Sequence, residues 1–318
     1  MINDNIWLIG TGVMAMEYAK VLLDLNSDFI AVGRSNKNCD SFRESFNVKV
    51  LDGGLQSFLQ TKPDFPKAVI VAVGIEALSE TVLNLLDFGV KYILLEKPGF
   101  GYPSELKSII NHKNASNAKI VLAYNRRFYG SVFEAERLIE LDGGVTTFSF
   151  EFTEWSHIIK DLIKHPAEHQ NWFLGNSSHI IDTAFFLSGK PKELCSFYDG
   201  SLPWHTKSSR FSGAGITENN ALFSYIANWE APGRWSMEFS TKSRRFIFRP
   251  IETLQVQELG SVAITTVEFD DSLDKKYKPG LYLQTSAFLN NDLDRFCTIE
   301  EQSEMIEIYC KMSGYTDS

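Results

Sequence analysis

The rhythm of apolar and polar positions changes once along the chain, near residue 143. Before that point, short apolar runs alternate with amphipathic stretches. Ile6–Ile9 stops at Gly10, and from Val13 to Leu25 the residues Met16, Ala19, Val21, Leu22 and Leu25 recur on one helical face. Phe29–Val32 ends at Gly33, and Val48–Leu51, Ala68–Val73, Lys91–Leu95 and Lys119–Ala123 predict further strands. Glu76–Phe88 and Pro103–Asn114 predict further helices. Ala68–Val73 is almost purely apolar and β-branched, the pattern of a strand covered on both faces. Strands separated by helices need right-handed crossovers between parallel neighbours, so this half predicts a doubly wound α/β sheet.

After residue 143 the period becomes two. Across Val145–Trp155, Phe148, Phe150 and Phe152 face one way, and Thr147, Ser149, Glu151 and Thr153 the other. That alternation predicts a half-buried antiparallel strand. Ala221–Trp229, Arg234–Phe239, Phe246–Phe248, Thr253–Leu259 and Val262–Phe269 read as more strands. Helices are expected near Ser178–Leu187, Leu283–Asn290 and Ile299–Met312. The second half is therefore α+β with a large open-faced antiparallel sheet, and the reading divides the chain into residues 1–123 and 124–318.

Composition narrows the classes of function. The chain has 318 residues, enough for two domains, and 44% of them are hydrophobic. The formal net charge of −9 disfavours a nucleic-acid partner, while leaving room for a local basic pocket. Met1–Asn5 holds an acid and no basic stretch, and Ile6–Ile9 is too short for a secretion signal. No apolar run reaches membrane-span length. Cys39, Cys195, Cys297 and Cys310 are scattered, without metal-ligand or disulfide spacing. The expectation is a cytoplasmic protein with reduced thiols and no metal.

Chemistry enters at the first turn. Gly10-Thr11-Gly12-Val13-Met14-Ala15 fits G-x-G-x-x-G/A between the first strand and the first helix. The first glycine permits the tight turn, the second lets backbone approach a pyrophosphate, and the small Ala15 allows close helix packing. In this context the loop predicts a dinucleotide cofactor and a Rossmann domain. A carboxylate for the ribose diol is usual about twenty residues on. Here that stretch reads Gly33-Arg34-Ser35-Asn36-Lys37, with cations and a hydroxyl suited to a 2′-phosphate. NADP(H) is therefore favoured, with NAD(H) the alternative. Val73, ending the fourth strand, is expected at the same cofactor site.

Glu96-Lys97-Pro98 lies at the carboxyl end of the fifth strand, where open α/β sheets bind ligands. The glycine loop, this motif, Tyr124-Asn125-Arg126-Arg127-Phe128 and Ser178-His179-Ile180-Ile181-Asp182 occur in an order that resembles the Gfo/Idh/MocA family. That is the glucose–fructose oxidoreductase and inositol dehydrogenase group, and the resemblance spans essentially the whole chain. It implies hydride transfer between NAD(P) and a carbinol or keto carbon of a sugar, cyclitol or nucleotide-sugar. It implies Lys97 as the group that polarises the reacting oxygen and His179 as the proton donor or acceptor. Glu96 and Arg127 would join the cofactor site. Tyr124, Asn176, Asp182 and Trp172 are candidate substrate contacts, with Asp182 one turn beyond His179 and able to orient it. The second sheet would mediate homo-oligomerisation.

The sequence departs from the family pattern twice. Gly175 stands where many members carry an acid four residues before the histidine, and Val73-Gly74-Ile75-Glu76-Ala77-Leu78 replaces a Thr-Pro segment followed by Asn and His. Two other functions stay open at this stage. One is a redox-neutral glycosidase with tightly held NAD, and the other a non-catalytic dinucleotide or sugar sensor.

Overall fold

A computed structural model describes residues 5–162 and 165–315, so Met1–Asp4, part of the stretch read above for a secretion signal, lie outside the described residues. The chain forms two compact units, one of residues 5–125 and 275–304, the other of 126–274 and 305–315. The return of residues 275–304 to the first unit is a feature that a single boundary at 123 does not contain.

The first unit is built on β1 (Ile6–Ile9), β2 (Phe29–Val32), β3 (Lys49–Leu51), β4 (Ala68–Val71), β5 (Tyr92–Leu95) and β6 (Lys119–Leu122). These pair in parallel in the order β6-β5-β4-β1-β2-β3, and a two-residue strand, Cys297–Thr298, adds antiparallel to β6. All four residues of β1, β2 and β4 are buried, as their apolar runs predict. The order reverses beside β1, between β1 and β4. Loops at the carboxyl ends of those two strands therefore diverge and leave a crevice. Helices Asn36–Ser45 and Gly54–Gln60 were not anticipated from the pattern.

The second unit holds β7 (Thr147–Glu151), β8 (Pro191–Asp199), β9 (Arg210–Thr217), β10 (Leu222–Asn228), β11 (Ser236–Ser240), β12 (Arg244–Phe248), β13 (Gln255–Glu258) and β14 (Ile264–Thr266). Their order is β14-β13-β12-β11-β7-β10-β9-β8. The sheet is antiparallel except at its centre, where β7 runs parallel to β10 and antiparallel to β11. The expectation of a purely antiparallel β7 is corrected by that pairing.

Register brings the alternating phenylalanines into one row. Phe148 stands opposite Phe223 on β10 and Phe239 on β11, with ring centroids 5.4 and 5.7 Å away. Helix Ser178–Ser188 lies on this row through Phe185, whose ring meets Phe148 and Phe150 edge-on at 5.8 and 5.6 Å. Each fully buried ring contributes roughly 2–3 kcal/mol of transfer free energy. That packing fixes the helix on which His179 sits.

Candidate functional site

The first unit carries a cavity of about 380 Å³ at the reversal point, walled by the glycine loop, the ends of β2 and β4, Gly53–Gly54 and the start of helix Leu78–Phe88. Gly10 has φ +124°, and a Cβ there would sit 2.2 Å from the Ala72 carbonyl oxygen. Only glycine fits. Gly12 differs: a Cβ would meet nothing within 4 Å. The space above it is open, so Gly12 is set by what must approach rather than by the fold.

Helix Val13–Asp24 begins at Gly12 with no side-chain cap and no acid in its first turn. Val13 is 79% exposed. Uncapped first-turn amides and the positive end of the helix dipole form an anion site. A dinucleotide pyrophosphate fits this arrangement of groups.

At the other end of the cavity stand Arg34, Ser35 and Asn38, facing Gly53 and Gly54. Ser35 is the N-cap of helix Asn36–Ser45, yet its hydroxyl makes no capping bond, and no acid lies in the first turn. Asp52, directly before Gly53, accepts from Arg43 Nη2 at 2.7 Å. Glu76 and Glu80 also line the cavity and bring negative charge. Asn38, Gly53, Gly54 and Glu80 were not singled out from the sequence, and Glu76 was quoted within the Val73–Leu78 departure. The Gly53-Gly54 pair directly after a strand is the one signal that marked this wall. Thr11 and Val73 also line the cavity, while Lys37 is exposed on the helix.

Lys97 and Glu96 follow β5, both half-buried. Tyr18, buried on the first helix, donates to Glu96 Oε1 at 2.9 Å. Burial raises the Glu96 carboxyl above its ordinary range, against the pull of Lys97 and Tyr18. Behind Lys97, Gln302 Nε2 donates to the Pro98 carbonyl oxygen at 3.0 Å, and the Tyr124 hydroxyl donates to Gln302 Oε1 at 3.1 Å. Tyr124 is buried, so its expected reach toward substrate becomes a brace behind the Lys97–Pro98 turn.

In the second unit His179 lies in the first turn of helix Ser178–Ser188, 7% exposed, its ring centroid 6.4 Å from that of Trp235. Both carboxylate oxygens of Asp182 take the Arg127 guanidinium, at 2.9 and 2.6 Å. Arg127, expected at the cofactor, is thus spent in a buried pair within this unit. Asn176 is spent as well, donating to both Glu154 oxygens at 2.9 and 3.0 Å, and Ser177 Oγ adds a third bond at 2.7 Å. Glu154, 2% exposed, brings a carboxylate to the turn that Gly175 leaves without one. Burial raises its pKa, opposed by Ser177 and Asn176.

Trp172 is buried with Trp204 and His169, at 5.8 and 6.4 Å between ring centroids. His165 accepts from the Ala167 amide and His169 bonds the Leu162 carbonyl, so these histidines serve the local chain. Among the described residues no group of three or more His, Cys, Asp or Glu is placed to hold a metal ion.

Trp235 has two further neighbours, Arg126 from the Tyr124–Phe128 motif and Arg234, which the sequence reading did not single out. Arg126 and Arg234 place their guanidinium carbons 4.6 and 5.2 Å from the centre of its ring. Arg234 also lies 4.6 Å over the exposed Trp155. A cation–π contact contributes about 0.5–2 kcal/mol, whereas removing a cation from water costs several. The rings offset part of that cost only.

No protein-family profile and no curated protein matches this sequence. Solved structures do match in fold. Levoglucosan dehydrogenase in complex with NADH and L-sorbose is 16% identical, aligned over 98% of this chain and 96% of its own, with a TM-score of 0.77. An oxidoreductase from Agrobacterium radiobacter in complex with NAD+, L-tartaric acid and magnesium is 12% identical over 96% and 94%, at 0.77. UDP-N-acetylglucosamine 3-dehydrogenase from Acidithiobacillus ferrooxidans is 12% identical over 100% and 99%, at 0.74. The chain has the two-part fold of these dehydrogenases throughout its length.

Proposed function

We propose that this protein is an NAD(P)-dependent oxidoreductase of the Gfo/Idh/MocA type, acting on a carbinol or keto carbon of a sugar, cyclitol or nucleotide-sugar. The observation that carries this reading is the open, uncapped helix N-terminus at Gly12 within a fold shared with dinucleotide-bound sugar dehydrogenases. When bound, the cofactor supplies or accepts the hydride.

In this reading the first unit binds the cofactor and the second recognises substrate. The amides at Gly12 and Val13 hold the pyrophosphate. Lys97 donates a hydrogen bond to the reacting oxygen and stabilises the charge that develops there. His179 exchanges that oxygen's proton. Glu154 pins Asn176 and Ser177, directly ahead of the histidine, and Arg127–Asp182 braces the same helix. Tyr124 and Trp172 are supports rather than ligands.

NADP(H) is the preferred cofactor. Arg34, the unspent Ser35 hydroxyl and the uncapped start of helix Asn36–Ser45 suit a 2′-phosphate, and Asp52 is held away by Arg43. Self-association is assigned to the outer face of the second sheet, where Leu222 and Ile226 on β10 and Ile264 on β14 are exposed among hydroxyl side chains. Sedimentation would test it, a monomer contradicting it. A cytoplasmic location fits the free thiols at Cys39, Cys195, Cys297 and Cys310, and among the described residues no helix is long and apolar enough to cross a membrane.

The test is turnover with a panel of sugars, using NADP+ and NAD+ in parallel, for the parent and Arg34→Asp. Oxidation by the parent with NADP+ preferred, and loss of that preference in the variant, is the expected result. Equal use of both cofactors by the parent contradicts the NADP(H) assignment.

A further inference from the structure

The geometry points to an oxyanion-binding subsite on Trp235, built by Arg126 and Arg234, and hence to a substrate that carries a carboxylate or phosphate. The inference rests on the sugar-dehydrogenase reading and deepens it.

Trp235 is the common neighbour of His179 and both arginines. The indole is buried, while Arg126 is half-buried and Arg234 exposed. The subsite therefore grades from interior to solvent. Neither arginine forms an ion pair with any described residue, and the buried Nε of Arg126 meets no acceptor. This contrasts with Arg127, one position on, whose guanidinium is fully matched by Asp182. Burial disfavours the Arg126 cation, and Tyr129, Glu252 and Glu154 offset this only from a distance. Glu154 itself is occupied by Asn176 and Ser177.

Two unmatched guanidinium groups over one ring, in a chain of net charge −9, are not a generic surface. Both guanidinium carbons lie over the Trp235 ring, and with no ion pair to occupy them their N–H groups are available to grip an oxyanion. A neutral sugar hydroxyl would not match two positive charges. A carboxylate on the sugar, or a phosphate joined to it, would.

The experiment measures binding to the full-length protein, loaded with NADP+, by calorimetry. The probes are glucose, glucuronate, glucose 6-phosphate and UDP-glucose. At least one anionic probe is expected to bind tenfold or more tighter than glucose, and to weaken as salt is raised. Preference for glucuronate would assign a carboxylate; preference for either phosphorylated probe, a phosphate. Arg234→Gln, a change at an exposed position, and Arg126→Gln should each erase most of the preference. Arg126→Lys should retain part of it, and NADP+ affinity should stay unchanged in all three. Equal binding of charged and neutral probes, or an undiminished preference in both Gln variants, overturns the subsite alone. Failure of every probe to bind while NADP+ still binds overturns the sugar reading and the subsite together.

Discussion

Arg127 and Asp182 form a two-pronged ion pair inside the second unit, with Nε 2.9 Å from Oδ2 and Nη2 2.6 Å from Oδ1. The two side chains are 5% and 2% exposed, and the guanidinium carbon lies 4.8 Å over the Phe186 ring. One partner comes from the segment after β6, the other from helix Ser178–Ser188, which carries His179. Removing one partner strands a buried charge. Asp182→Asn is therefore expected to cost about 3–5 kcal/mol of stability, read from denaturant midpoints, with NADP(H) affinity unchanged. A large fall in cofactor affinity at full stability would return Arg127 to the cofactor site.

The two glycines of the loop should separate fold from function. Gly10→Ala places a methyl group against the Ala72 carbonyl at positive φ, and should cost on the order of 3 kcal/mol. Gly12→Ala has φ −86° and open space, so melting should hardly change. Its cofactor affinity should fall at least about tenfold, or 1.4 kcal/mol, because the methyl group occupies the pyrophosphate's approach. Unchanged affinity in Gly12→Ala would contradict the assignment of the loop.

The brace behind Lys97 gives a third expectation. Gln302 is wholly buried and links the Tyr124 hydroxyl to the Pro98 carbonyl. Gln302→Leu removes both of these buried bonds, at a cost of about 1–3 kcal/mol. Turnover should drop several-fold while cofactor binding holds, since the turn that carries Lys97 loosens. Stopped-flow turnover alongside cofactor titration checks this, and equal loss of both would show a general collapse instead.

His205 supplies the pH dependence. Its Nδ1 bonds the His169 carbonyl at 2.8 Å and its Nε2 lies 2.9 Å from the Tyr315 hydroxyl, a neutral ring with one donor and one acceptor. Burial lowers its pKa from 6.5 to about 4. Between those values the unfolded chain takes up a proton that the native state refuses, so stability is full above pH 6.5 and falls as pH drops toward 4. The loss amounts to roughly 3 kcal/mol at most. Urea midpoints from pH 7 to 4.5 should show this slope, and His205→Asn should flatten it.

Much of the first unit was legible because β1, β2 and β4 are buried on both faces and so are written as unbroken apolar runs. Helix Asn36–Ser45 was not, since it buries only Cys39 and Phe42 and is otherwise polar. The hairpin of β8 and β9 escaped for two other reasons. Most of β8 is exposed, so no alternation marks it. In β9, Gly213 and Gly215 imitate a turn, yet they sit where the rings of Tyr225 and Phe223 leave no space for a Cβ. Lys97 and His179 were singled out from local motifs. Arg126 was quoted within the Tyr124–Phe128 motif, but Glu154 and Trp235 were not singled out, because each acquires its meaning from a partner far away in sequence.

The most direct test of the central claim is the rate of nicotinamide reduction by Lys97→Ala beside the parent, with NADP+ affinity measured on the same samples. The parent should reduce NADP+ with at least one sugar, neutral or anionic. The variant should bind the cofactor equally well and turn over slower by about a hundredfold or more, the size of a lost charge-stabilising group. Undiminished turnover in Lys97→Ala, or a parent that binds NADP+ and oxidises no sugar at all, would contradict the account.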